Sequence, residues 1–360
     1  MSVEDLRKRI DEADAEIVRV IAQRLRIAEE LGRRKRGRGA QIEDKARERI
    51  VLGRVKSIAR AEGISEEDIE SIYEQVISVC RGVQQTTVAF QGVAGAYSEE
   101  AALGFFGSSA QTQPYESFDD VFRAVESDEA RFGIVPVENS LEGSISRVYD
   151  LLLDSKLMVC GEMELRVVHC LIGSSETRLD LIRRVYSHPQ ALGQCRGFLR
   201  HLDCELIATY DTAGSVRMLK EKGIMEGAAV ASARAAEIYG MKIISRGIED
   251  NRNNFTRFFV LSEQDSPPSG NDKTSIVFSI REEPGSLYRA LKKLAVRRIN
   301  LTKLESRPTR QKPWQYNFYL DCEGHREDSA LHEALAELER TSLFVKVLGS
   351  YPRAKPGNTG

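Results

Sequence analysis

At 360 residues the chain is longer than one ordinary hydrophobic core supports, and usual domain sizes point to two or three domains, three being the expectation. Hydrophobic residues make up 41% and charged residues 29%, and the formal charge is -2, so nothing draws the whole chain to nucleic acid or to an anionic membrane. Apolar runs such as 151–153 and 258–261 fall far short of the roughly 18 residues of a spanning helix. The first thirty residues are too densely charged for an export signal. The six cysteines (Cys80, Cys160, Cys170, Cys195, Cys204 and Cys322) contain no Cys-x-x-Cys pair, which argues against a zinc site or disulfide framework and for a reducing cytoplasm.

Residues 2–85 contain no proline, and Leu6, Ile10, Ala13, Ile17, Val20, Ile27 and Leu31 recur at helical spacing, which predicts one amphipathic helix over 3–36. At 1.5 Å per residue it would run roughly 50 Å, too long for two short helices to cover, so a partner chain is implied. Gly37 and Gly39 break the pattern, a second helix is predicted over 43–62, and Ser65 caps a third that carries Ile69, Ile72, Val76, Val79 and Val83. From Thr87 short β-rich runs (87–90, 132–137, 159–172, 181–187, 228–231 and 258–261) alternate with helical stretches, the pattern of an α/β sheet with crossover helices. A turn-rich linker at 264–272 leads to a strand at 275–280, a helix at 285–297, strands at 301–306 and 315–321, a helix at 329–339 and a strand at 344–348. That βαββαβ order is ferredoxin-like. The expected domains are therefore 1–86, 87–264 and 273–353.

Arg24 lies seven residues from both Ile17 and Leu31 and so points along the apolar row, and Lys35, eleven residues on, returns close to the same face. A cation on a core face is costly unless an anion meets it; the alternative is a stripe edge from which both side chains snorkel to water. Asp44, Arg47 and Glu48 share a face of the second helix, and Cys80 and Gln84 a face of the third, so each helix offers polar groups to one pocket. The spacing of Arg7, Arg24, Lys35, Asp44, Arg47, Glu48, Cys80 and Gln84 resembles the substrate-binding set of the all-helical chorismate mutase family, whose members form an intertwined helical dimer. The resemblance implies that Arg7 serves the partner's pocket, which suits its roughly 25 Å separation from Arg24 along one helix. It also implies that Arg7 and Arg24 meet the two carboxylates of chorismate, Lys35 and Gln84 its ether oxygen, and Asp44 and Glu48 its ring hydroxyl. The rearrangement to prephenate needs positioning and electrostatics rather than a nucleophile or a proton transfer. Cys80 stands where serine is common, and Gln41-Ile42 where Pro-Val is frequent. The basic run 33–38 is not read as a nucleic-acid patch, because no aromatics interleave it.

Four loops, 91–98, 136–144, 187–190 and 211–215, each follow a short strand and open a helical pattern. Amides at helix N-termini attract anions, so such loops around a cleft suit a dicarboxylate. The literal motifs Gly-Ile-Val-Pro-Val-Glu-Asn-Ser (133–140), Ser-His-Pro-Gln-Ala-Leu-Gly-Gln-Cys (187–195), Ala-Ala-Val-Ala-Ser (228–232) and Asn-Asn-Phe-Thr-Arg-Phe (253–258) resemble prephenate dehydratase. That family implies two α/β lobes, like a periplasmic binding protein, with prephenate between them. Thr256 is then the hydroxyl that assists the leaving group, and Ser98, Asn139, Ser140, Gln190, Thr212 and Arg257 bind prephenate. His188 is read first as a capping or core histidine. Ala96 stands where threonine is usual, and Asp211 where serine often precedes Thr212.

Pro-Gly-Ser-Leu-Tyr (284–288) and Leu-Glu-Ser-Arg-Pro (304–308) resemble the two motifs of a phenylalanine-binding ACT domain, with Ser286 and Tyr288 replacing the usual alanine and valine. An effector pocket at Gly285, Ser286, Leu287, Glu305, Ser306, Arg307 and Pro308 is implied, at an interface between paired domains. The whole resembles the bifunctional chorismate mutase/prephenate dehydratase family, with Lys35, Glu48, Gln84 and Thr256 catalytic, phenylalanine as effector, a homodimer or larger assembly, and no cofactor, metal, nucleic acid or membrane. An arogenate dehydratase fused to a mutase is the nearer alternative. A catalytically dead phenylalanine-responsive binding protein is the other, against which Thr256 and the full mutase charge set argue.

Overall fold

The structure, a computed structural model, describes residues 2–36, 45–84, 87–108, 110–309 and 315–354. It divides into two compact units, of which the first comprises the residues up to Thr87 together with Phe106–Gln111. That unit holds α1 (Val3–Arg36), α2 (Lys45–Ala61) and α3 (Glu66–Gln84). Glu4 and Asp5 in the first turn of α1 complement the helix dipole, and the Ser65 hydroxyl accepts the Asp68 N–H at 3.3 Å ahead of α3. α3 packs against both α1 and α2, yet the buried hydrophobic side chains described there are only Ala28, Val55, Ala59 and Ile77. Leu6, Ile10, Ile17, Val20 and Ile27 are 44–61% exposed, so the row that helical spacing marks as core is uncovered within one chain.

The second unit contains three sheets. β1 (Thr87–Gln91), α4 (Tyr97–Phe106), β2 (Gln111–Tyr115), α5 (Phe118–Glu126), β3 (Phe132–Asn139), β4 (Gly143–Ser144), α6 (Ser146–Asp154) and β5 (Met158–Arg166) build most of the first lobe. The second lobe follows as β6 (Cys170–Gly173), β7 (Arg184–Ser187), α7 (Pro189–Gln194), α8 (Arg196–Leu199), β8 (Glu205–Ala208), α9 (Thr212–Lys222), β9 (Gly227–Ala231), α10 (Ala233–Tyr239) and β10 (Lys242–Arg246). β11 (Phe255–Ser262) then returns to the first sheet, giving orders β2-β1-β3-β11-β5, with β4 on β3, and β10-β6-β9-β7-β8. The run expected as one strand over 159–172 is therefore two strands in different sheets. Between them the chain crosses from lobe to lobe, because Val167 donates its N–H to Asn254 (2.8 Å) and the His169 carbonyl accepts from Gly247 and Ile248 (2.9 and 3.1 Å). The two crossover segments thus bond to each other instead of to a sheet. Likewise the run expected over 181–187 opens as a 3-10 turn, Leu179–Leu181, before β7.

The C-terminal part is β12 (Asp272–Ser279), α11 (Ser286–Ala295), β13 (Leu301–Pro308), β14 (Tyr316–Glu323), α12 (Ser329–Thr341) and β15 (Phe344–Pro352), with strand order β13-β14-β12-β15, the ferredoxin-like arrangement. Ile276, Phe278 and Leu320 on one face pack with Ala290 and Leu294 of α11 and Leu331 and Leu335 of α12. Val277, Tyr319, Leu348 and Tyr351 share a core with Val159, Phe259 and Leu261 of the first lobe. With both faces covered, β12 is buried at every position. The segment expected as a linker is pinned rather than loose: the Ser266 hydroxyl donates to the Cys160 carbonyl at 2.6 Å, and Asp265 accepts the Ser350 N–H at 3.0 Å.

Candidate active site

Strand alternation sets the site. On β11 Thr256 and Phe258 line a cleft of about 1020 Å³ between the two lobes, while Phe259 joins the core shared with the C-terminal sheet. Thr256 lies across from Asn139 in the β11–β3 register. The Asn139 side-chain oxygen accepts the N–H groups of Leu141 and Glu142 at 3.0 and 3.1 Å, which fixes the sense of the amide. Its Nδ2 therefore points inward and donates to Thr256 Oγ1 at 3.0 Å and to Asn254 Oδ1 at 2.7 Å. A hydroxyl that accepts from Asn139 keeps its own proton for a group in the cleft.

The polar chain continues across the lobes. Asn254 Nδ2 donates to Gln194 Oε1 at 2.9 Å, and the same oxygen lies 3.0 Å from His169 Nε2. Because an amide oxygen only accepts, Nε2 carries the ring proton, while Nδ1 lies 2.9 Å from the Tyr97 hydroxyl, which also donates to the Val168 carbonyl at 3.0 Å. Burial pushes the His169 pKa below its ordinary value, against weaker pulls from Gln194 and Glu249, so the ring is neutral at neutral pH.

Of the residues expected around prephenate, Ser98, Asn139, Gln190, Thr212 and Thr256 line the cleft. Ser140 does not. Its hydroxyl donates to the Asn253 carbonyl at 2.9 Å and accepts the Phe255 N–H at 3.0 Å, tying the chain after β3 to the start of β11. Arg257 also falls outside the cleft, because one step along a strand reverses the side chain. It instead pairs with Glu162 at 2.8 Å and with Asp321 of β14 at 2.6 Å, on the side covered by the C-terminal sheet. His188 caps α7, its Nδ1 accepting the Gln190 N–H at 3.3 Å, and Asp211 caps α9. Tyr97, His169 and Gln194 were missed from sequence. Gln194 carried a usable signal, standing four residues after Gln190, one turn along the same helix. His169 carried none, since it sits within a run that reads as strand.

In the helical unit Arg24 is half-buried and its Nη1 approaches the Val76 carbonyl of α3 at 3.4 Å. Arg7 and Arg47 are exposed and Glu48 is half-buried. Asp44 and the side chains of Lys35, Cys80 and Gln84 lie outside the described residues. In the C-terminal domain a second cavity, of about 620 Å³, is lined by Pro284, Gly285, Ser286, Leu287, Tyr316 and Phe318. Gly285 takes φ 79° there, a left-handed turn into α11 that favours glycine. Glu305, Ser306, Arg307 and Pro308 are not part of that lining. Glu305 accepts from the Ser144 hydroxyl, and Arg307 donates to Ser146 at 2.8 Å, so both turn toward the first lobe.

The cleft-bearing part is of the prephenate dehydratase class and the helical unit of the type II chorismate mutase class, the sequence models of those families matching residues 88–266 and 6–85. The chain belongs to the bifunctional chorismate mutase/prephenate dehydratase family and is an enzyme with both activities. It is 38% identical over 358 residues to the bifunctional chorismate mutase/prephenate dehydratase of Aquifex aeolicus (strain VF5), covering 98% of both chains. Among solved structures it is similar to GqqA, described as a novel type of quorum-quenching acylase (38% identity, TM-score 0.70, 75% of this chain and 98% of that one). It is also similar to the prephenate dehydratase of Arthrobacter aurescens in complex with L-Phe (31% identity, TM-score 0.69, 74% of this chain and 90% of that one). Among the described residues no helix is long and apolar enough to cross a membrane.

Proposed function

We propose that residues 1–86 rearrange chorismate to prephenate, that residues 87–264 convert prephenate to phenylpyruvate, and that residues 273–353 form an ACT-type domain through which phenylalanine restrains the second step. The observation that carries the dehydratase reading is the Asn139–Thr256 hydrogen bond of 3.0 Å, which leaves the threonine proton to be donated into the cleft. In the reaction the ring carboxylate leaves as carbon dioxide, its bonding electrons aromatise the ring, and the hydroxyl on the opposite ring carbon departs as hydroxide, which solvent neutralises. A threonine is too weak an acid to ionise. Its part is a hydrogen bond that strengthens as charge builds on the departing oxygen. Ser98, Gln190 and Thr212, on separate cleft walls, hold the carboxylates.

For the mutase, Arg24 facing α3 supports a pocket among the three helices, completed by Lys35, Asp44, Arg47, Glu48, Cys80 and Gln84. The exposed apolar row of α1 supports a homodimer or larger assembly, with Arg7 lent to the partner's pocket. The cavity at Gly285, Ser286 and Leu287 supports an effector site, and the Arthrobacter aurescens relative was solved with L-Phe. The chain works in the cytoplasm on small molecules, without nucleic acid or membrane.

The test follows purified protein converting chorismate to phenylpyruvate, with and without phenylalanine, with arogenate offered in parallel. Thr256→Val should lower dehydratase kcat about 100-fold with little change in KM and leave mutase turnover intact. Full dehydratase activity in that variant would refute the assignment.

A further inference from the structure

Lys303 stands on β13 of the C-terminal domain, yet it is only 9% exposed and its ammonium is spent on the first lobe. Its Nζ lies 2.8 Å from Ser144 Oγ, 3.0 Å from Glu138 and 3.2 Å from Glu305, so each of its three N–H donors has a partner, and it sits 5.4 Å from the centre of the Tyr149 ring. A lysine at a strand surface ordinarily extends its head into water. Holding it desolvated is costly unless every donor is met, which marks this as a built site. Glu138 and Ser144 face each other across the β3–β4 hairpin, and the next pair in that register is Asn139 with Gly143. Asn139 is the residue that orients the Thr256 hydroxyl, and Ser144 lines the cleft.

We propose that Lys303 is a positioning residue for the dehydratase reaction: it bridges the two strands of the hairpin that carries Asn139, and through Asn139 it holds the Thr256 hydroxyl on the departing oxygen. The C-terminal domain thereby supplies part of the scaffold of the dehydratase site as well as its regulation. Glu305, the second acceptor of the same ammonium, makes the strand bearing Leu-Glu-Ser-Arg-Pro continuous with the cleft wall.

The proposal rests on the dehydratase reading, and the full-length wild type must first turn over prephenate; failure there sinks that reading before any variant is compared. Lys303→Met should then lower dehydratase kcat about tenfold, with KM changed less than about threefold and mutase turnover unaltered. In a Thr256→Val background the same substitution should cost less than about twofold, because the hydroxyl it positions is gone. Lys303→Arg should recover most of the loss. Should Lys303→Met fold poorly, Glu138→Gln/Lys303→Met removes both charges and should show the same kcat loss in a stable protein. An unchanged kcat in a folded variant, or an equal tenfold loss in both backgrounds, overturns the proposal.

Discussion

Arg257 offers the sharpest separation between a substrate ligand and a structural strut, since it adjoins Thr256 in sequence and faces away from it in space. Its guanidinium meets Asp321 at 2.6 Å, Glu162 at 2.8 Å and the Tyr351 hydroxyl at 3.1 Å, while Lys273 holds the other oxygen of Glu162 at 2.8 Å. The side chains of Arg257, Asp321, Glu162 and Lys273 are 11%, 5%, 0% and 8% exposed, so two cations and two carboxylates balance in a nearly dry layer. Arg257→Met leaves two carboxylates to one ammonium. Breaking a buried pair in this way costs about 3–5 kcal/mol, and at about 2–4 °C per kcal/mol for a large domain the Tm should fall by roughly 6–20 °C. A substrate carboxylate that loses a buried charged partner would instead weaken by about 2–5 kcal/mol, raising KM roughly 30-fold or more. Scanning calorimetry and steady-state kinetics well below the transition separate the two. KM should stay within about threefold of wild type. An unchanged Tm with a collapsed affinity for prephenate would refute the strut.

Gly349→Ala should lower the Tm by displacing β15 from β5, since a Cβ there would overlap the Val159 backbone carbonyl; the cost is about 1–3 kcal/mol, and an unaltered melting curve would argue against that close approach. The buried, neutral His169 predicts acid sensitivity: the unfolded ring takes up its proton near its ordinary value of 6.5, the native ring only at lower pH. Stability present above that value is therefore lost as pH falls through this window, and His169→Gln should flatten the profile of Tm against pH there; an unchanged slope would count against it. Mixing inactive Arg7→Ala with inactive Arg24→Ala should partly restore mutase activity if pockets are shared, because in a heterodimer one pocket collects both lesions and the other neither. No recovery after verified subunit exchange would weigh against the intertwined dimer.

Legibility followed the strength of the local pattern. α1 runs over the residues its periodicity marks, because thirty-four residues of one stripe leave little freedom of phase. β2, β8 and β10 escaped notice because none has a buried position to imprint an apolar alternation, their profiles being mostly exposed or half-buried. His169 was illegible for another reason: its partners Tyr97 and Gln194 stand 72 and 25 residues away, so no local window contains the site.

The motif at 304–308 does not by itself say which of its residues face which surface. Period two puts Lys303, Glu305 and Arg307 on one side of β13 and Leu304 on the other. Burial by hydrophobicity alone would turn Leu304 inward. The structure does the reverse, leaving Leu304 43% exposed and Lys303 and Arg307 at 9% and 12%. The cause lies in the surface that β13 meets. Glu138, Ser144, Ser146 and Asp150 offer acceptors there, which an apolar side chain would leave unsatisfied and a basic one fulfils. A strand has only two faces to choose between, and on β13 the choice was made by the polar surface of the first lobe, which appears in the sequence more than 150 residues earlier.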